Sequence, residues 1–137
     1  MLRRSNPASV AQPVGRYSHT TSVPAGTELV FVSGQVGNYP DGRPLDGDAT
    51  GQARQALANI GAILADLGAT PAQVVKMTTL VVGEANLAGF RAARDEVFAE
   101  WYPDGSDPAH TLMVVVALAA PELLVEIEAV VAVAPAP

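Results

Sequence analysis

Residues 49 to 67 constrain this chain most. Ala53, Leu57, Ile60, Leu64 and Leu67 recur at spacings of four, three, four and three, the rhythm of one face of an α-helix. Arg54, Gln55 and Asp66 fall on other faces, and Gly68 with Pro71 beyond it closes the segment. A helix that is apolar on one side must lie against something apolar. Two candidates flank it. "ELVFVSGQ" before it and "QVVKMTTLVV" after it are β-branched, strand-length runs.

The rest of the chain extends this pattern. "RYSHTTSVP" reads as a short polar-faced strand, and Gly34 reads as the stop of the strand "ELVFVSGQ". "GNYPDGRPLDGD" is the longest loop, with Asp46 and Asp48 as turn and helix-start residues. Asn86 is placed to cap a second helix whose buried face carries Phe90, Ala93, Val97 and Trp101. "HTLMVVVAL" and "LLVEIEAVVAV" are the last strands, with a short turn around Pro121 between them. The predicted order is strand, strand, helix, strand, helix, strand, strand. That is an α+β protein: a mixed sheet with two helices on one face. Its other face needs cover, which predicts self-association.

Composition narrows the function. A chain of 137 residues, 49% of them apolar, builds one domain over residues 1–137. The Ala-Pro tail reads as a frayed end. No cysteine is present, which removes disulfides, thiolate metal sites and thiol nucleophiles together. Eight basic residues are scattered among fourteen acidic ones, net charge −6, with no run of three basic residues. Nucleic-acid affinity draws on clustered Lys and Arg, so a nucleic-acid partner is not expected. "MLRRSNPASV" has no apolar core behind its basic pair, and no apolar run reaches the ~18 residues of a membrane span. A cytoplasmic protein with no membrane partner is the expectation. The two histidines, His19 and His110, form no HxH or HxxxH spacing, so no metal is expected.

Two stretches carry candidate chemistry. In "LLVEIEAVV", Glu126 and Glu128 share one strand face while Val125, Ile127 and Ala129 share the other. Such a pair is either a solvated outer face or a carboxylate held at a pocket for acid-base work. In "SDPAHTLMVV", His110 sits at a strand start, either as an edge residue or as part of a site. "SGQVG" is neither a P-loop nor a GxGxxG fingerprint, and no GxSxG elbow occurs. It is a strand end, or else backbone exposed to a ligand beside Gly34. Tyr17 and His19 fall on one side of the first strand.

Taken together, "VGRYSHT", "LVFVSGQVG", "QARQALANIGAILADLGAT", "VVKMTTLVV", "DPAHT" and "VEIEAV" resemble the RidA (YjgF) family, in that family's order and over roughly residues 12–132. The resemblance implies a chorismate-mutase-like fold that assembles as a homotrimeric barrel, with ligand clefts between neighbouring subunits. It implies hydrolysis of enamines and imines to a keto acid and ammonia without a cofactor. By position, Glu126 matches the residue that positions water and moves protons, and Tyr17 lines the same cleft. Ser33 and Gly34 match the backbone that contacts ligand.

The chain departs from the family at its opening stretch. Where active imine deaminases of the family have P-A-R, this chain has Pro108-Ala109-His110. An arginine grips a carboxylate through two parallel N–H bonds, a geometry that imidazole cannot reproduce. The exchange costs about 2–4 kcal/mol of substrate binding, which predicts weak handling of ordinary 2-imino acids. Arg16 stands where the family usually has proline, and the turn between the last strands is slightly longer than usual. Three readings follow. His110 is a hydrogen-bond or acid-base partner of Glu126 for a different imine or enamine, with Arg16 as replacement cation. Alternatively, the cleft binds a small metabolite without chemistry. A ribonuclease or translation inhibitor is the third, disfavoured by the acidic balance.

Overall fold

The computed structural model describes residues 1–135; the last two residues of the Ala-Pro tail lie outside them. The strands are β1 (Arg3–Ser5), β2 (Thr20–Ser22), β3 (Glu28–Gln35), β4 (Val74–Val82), β5 (Ala109–Val115) and β6 (Val125–Val133). The helices are α1 (Ala49–Asp66) and α2 (Leu87–Trp101). β1 and β2 form a separate antiparallel pair, while the main sheet runs β3-β6-β4-β5. β6 pairs antiparallel with both β3 and β4, and β4 pairs parallel with β5 through α2. A parallel pair needs such a crossover, so this one join makes the sheet mixed. The α+β architecture with both helices on one face is as predicted.

Side-chain alternation places the core. Val125, Ile127, Ala129 and Val131 of β6 are buried under the helices together with Val74, Met77 and Val81 of β4. From above, α1 contributes Ala53, Leu57, Ile60 and Leu64, and α2 contributes Phe90, Ala93 and Phe98. Each large side chain so enclosed contributes about 1.5–3 kcal/mol. On α2, Phe98 rather than Val97 or Trp101 is fully enclosed; those two are only partly buried. Among the described residues nothing covers the opposite sheet face: Phe31 is 75% exposed, and Leu29 and Met113 are both well exposed.

Several local expectations are corrected. Gly34 does not stop β3. The register with β6 slips by one residue between Val32 and Gln35, so Ser33-Gly34 forms a bulge inside the strand. Asp48 caps α1 as expected, accepting from the Gly51 N–H at 2.7 Å. Asn86 does not cap α2, because its amide turns back and donates to the Val82 carbonyl at 2.7 Å. β5 and β6 are not joined by a tight turn, because β4 lies between them and the connection must cross its end. That crossing is tethered by buried Gln52, which donates to Asp46 and Glu122 carbonyls and accepts from the Leu124 N–H. The predicted first strand shrinks to β2, and β1 was not predicted at all. Arg4 of β1 anchors the pair by donating to the Ser106 carbonyl and, at 2.9 Å, to the Val74 carbonyl. Among the described residues, no helix is long and apolar enough to cross a membrane.

Candidate functional site

β5 is an edge strand, and alternation divides its side chains between two environments. Thr111 receives a hydrogen bond from the Lys76 ammonium at 2.9 Å, and Met113 lines a hollow with Glu126 on the uncovered face. His110 and Leu112 point the other way, to a cavity beside α2. The His110 ring packs edge-on to Phe90, with centroids 6.5 Å apart, and lies 6.3 Å from Phe98. Its Nε2 lies 2.8 Å from the Thr79 hydroxyl oxygen. Burial, seconded by the Arg94 and Lys76 charges, lowers its pKa to about 4. His110 is therefore neutral at pH 7.

The cavity beside α2 measures about 470 Å³, and Arg16, Tyr17 and His110 all line it. Its floor is held by the segment entering β2. The Ser18 N–H donates to the Pro108 carbonyl at 3.1 Å, and the Thr21 hydroxyl accepts from the Ala109 N–H at 3.1 Å. Arg16 lines the cavity, but its guanidinium is already engaged. Nε and Nη2 each donate to the Asp107 carboxylate at 2.8 Å, and Nη2 also reaches the Phe98 and Tyr102 carbonyls at 3.2 Å. This fork locks the loop before β5 onto the end of α2, and it speaks against Arg16 as a replacement cation. Tyr17 stacks edge-on with His19 at 5.7 Å, as their shared side of the chain predicted.

Glu126 occupies a different environment. It projects from β6 to the uncovered face, opposite Leu80 of β4, into a hollow of about 190 Å³ shared with Gly34, Thr78 and Glu128. Ser33 lines the adjoining hollow with Phe31, Lys76 and Thr78. The bulge is what allows Glu126 to lie where it does, because Gly34 offers no Cβ to meet it. Among the described residues, Glu126 accepts no hydrogen bond and forms no ion pair, so its carboxylate is available.

The six predicted residues therefore fall into two groups on opposite faces of one sheet. Arg16, Tyr17 and His110 lie together on the helix side, and Gly34, Ser33 and Glu126 lie on the uncovered side. Within one chain His110 does not reach Glu126. Sequence reading missed Arg91 and Arg94 of α2, which also line the helix-side cavity. Their spacing of three puts them on one helical face, a signal that any solvated helix shares.

Comparison with known proteins gives a consistent picture. The family model described as Endoribonuclease L-PSP matches residues 8–133. A RutC family protein of Pyrococcus abyssi is 33% identical over 87% of this chain and 87% of its own length. The 2-iminobutanoate/2-iminopropanoate deaminase of Capra hircus is 34% identical over 81% of this chain and 76% of its own. Among solved structures, a Rid family protein of Yersinia pestis superposes with a TM-score of 0.82 at 35% identity, covering 96% of this chain and 98% of that one.

Proposed function

The chain belongs to the Endoribonuclease L-PSP family, that of the RidA (YjgF) proteins, and from that premise we propose that it hydrolyses an imine or enamine in a cleft completed by a second copy of itself. The observation that carries this reading is the unpaired Glu126 carboxylate on an uncovered sheet face. Three copies turning those faces inward form a trimeric barrel, and each junction brings the Glu126 side of one sheet to the Tyr17 and His110 side of the next. The split of the candidate residues between two faces is what such an assembly needs.

In this reading Glu126 takes a proton from water as the oxygen attacks the C=N carbon. Glu126 hands that proton to the nitrogen as the π electrons move onto it. The resulting carbinolamine then collapses: Glu126 takes the hydroxyl proton as the carbonyl forms and passes it to the nitrogen, which leaves as ammonia. An enamine enters the same route after protonation at carbon. Ser33 and Gly34 supply backbone at the ligand, and Tyr17 and His110 supply polar contacts. No step calls for a cofactor. Ordinary short 2-imino acids are turned over slowly, because position 110 has no guanidinium.

Relatives named 2-iminobutanoate/2-iminopropanoate deaminase support the chemical class. The missing guanidinium at position 110 favours one other reading, a trimer that binds a metabolite without transforming it. RNA cleavage is disfavoured by the net charge of −6. An imine-trapping assay separates these readings. An amino-acid oxidase generates 2-imino acids, semicarbazide captures them, and hydrolysis shows as lost capture. Slow hydrolysis that disappears in Glu126→Gln supports the enzyme, as does a gain in His110→Arg that requires Glu126. Silence from wild type and His110→Arg alike, or a rate indifferent to Glu126→Gln, removes it.

A further inference from the structure

Four consecutive residues lead into His110, and each is held by a different contact from residues 4–21. The Ser106 carbonyl accepts from Arg4 Nη1, and the Asp107 carboxylate accepts from Arg16 at 2.8 Å. The Pro108 carbonyl accepts from the Ser18 N–H, and the Ala109 N–H donates to the Thr21 hydroxyl, both at 3.1 Å. Thr21 is in turn the cross-strand partner of Arg4.

Arg4 is the outermost of these anchors and the one with most against it. Its strand, β1, is only three residues long. Its guanidinium is half-buried, yet no carboxylate lies within ion-pair distance of it among the described residues. Nε is buried without a partner, and so is the hydroxyl of Tyr102, whose ring centroid lies 5.1 Å from the guanidinium carbon. Burial lowers the Arg4 pKa from the usual guanidinium value, although Tyr102, Asp107 and Asp104 pull the other way. An unbranched apolar side chain would fill the same space without these costs.

What the guanidinium adds is direction. Nη1 holds the Ser106 carbonyl in the loop before β5. Nη2 holds the Val74 carbonyl at 2.9 Å, at the start of β4, and reaches the Ala72 carbonyl at 3.3 Å. One rigid planar fork thus spaces the entry of β5 from the entry of β4. Those two strands pair His110 with Met77 and seat His110 Nε2 on the Thr79 hydroxyl. Arg4 itself does not line the cavity that His110 lines.

We propose that Arg4 is a positioning residue for His110: by bridging the Ser106 and Val74 carbonyls, it fixes the segment from which the His110 ring enters the cleft. The assignment rests on the reading that His110 serves that cleft, and it adds a residue that acts from outside it.

The test compares the full-length, ¹⁵N-labelled protein with Arg4→Met, Arg4→Lys and, as a control at an exposed position of the same strand, Arg3→Met. Hydrogen exchange is followed amide by amide, and the His110 ring nitrogens are followed by NMR at pH 7. Arg4→Met keeps the stem and loses the donors. It is expected to melt within a few degrees of wild type or above it, and to exchange at Ser18 and Ala109 at least about tenfold faster, with the α1 amides unchanged. The two His110 ring shifts are expected to move together, as a ring less firmly held on Thr79 averages its tautomers. Arg4→Lys keeps the charge without the fork and is expected to match Arg4→Met, while Arg3→Met matches wild type. Wild-type exchange and ring shifts in Arg4→Met overturn the proposal. Full recovery in Arg4→Lys overturns it as well, because charge and not bridging would then suffice. So does a lowered melting temperature with all amides accelerated alike, which is general support of the fold. Neither readout needs turnover, so Glu126→Gln can remove the hydrolytic reading while the role of Arg4 stands.

Discussion

Gly34 and Glu126 fit against each other so closely that a Cβ on Gly34 would lie 2.7 Å from the Glu126 carboxyl carbon. The obstruction is a flexible side-chain end and not backbone. Gly34→Ala therefore leaves the fold in place and pushes the carboxylate aside. The expected outcome is a fall of at least about tenfold in imine hydrolysis with a melting temperature within a few degrees of wild type. Rates and thermal unfolding measured on the same preparation check this; an unaltered rate would show that Glu126 does not act from this position.

Phe31 projects from β3 with three-quarters of its surface exposed, on the face that the helices leave bare. A phenyl ring in that setting marks a contact surface. If the proposed trimer forms through this face, Phe31→Glu is expected to leave monomers on analytical ultracentrifugation and to abolish turnover, because each proposed cleft needs two chains. A trimer that survives the substitution would place the interface elsewhere.

His110 makes stability depend on pH. Its pKa is about 4 in the fold against an ordinary 6.5, so between those values the unfolded chain binds the extra proton. Stability therefore rises with pH from about 4 to 6.5 and is level above that range as far as this group is concerned. The full span is worth on the order of 3 kcal/mol. Urea titrations of wild type and His110→Gln at pH 7 and pH 4.5 test it. The gap between wild type and variant should shift against wild type on acidification.

The Arg16–Asp107 fork joins the loop before β5 to the end of α2. Arg16 is 30% exposed and Asp107 only 7%, so the pair is worth less than a fully enclosed one and more than a surface one. Asp107→Asn is expected to cost about 1–2 kcal/mol of unfolding free energy. It should also loosen the Arg16-Tyr17 wall of the cavity, which hydrogen exchange at Tyr17 and Ser18 would register.

Elements that form from near neighbours were legible in the chain. The α1 face announced itself by spacing, and β4 and β6 by β-branched runs that close to within one or two residues of the predicted bounds. The "VEIEAV" alternation correctly put Glu126 and Glu128 on one face and the apolar residues on the other. β1 was not legible, because three residues of polar sequence become a strand only through pairing with Thr20–Ser22. The bulge at Ser33-Gly34 was read as a strand end because a slip in register leaves no mark on one strand alone.

By itself, then, the sequence determined the periodicities, the bare sheet face, the family likeness and which residue types are available for chemistry. Only the tertiary structure decided how those residues are grouped. β4 pairs Met77 with His110 and Leu80 with Glu126, positions three apart, so His110 and Glu126 end on opposite faces, and α2 packs beside His110 of β5, so Arg91 and Arg94 become the wall of a cavity. Periodicity tells a side chain which face of its own element it occupies. Which cavity that face borders depends on contacts between residues far apart in the chain, and no local pattern encodes them.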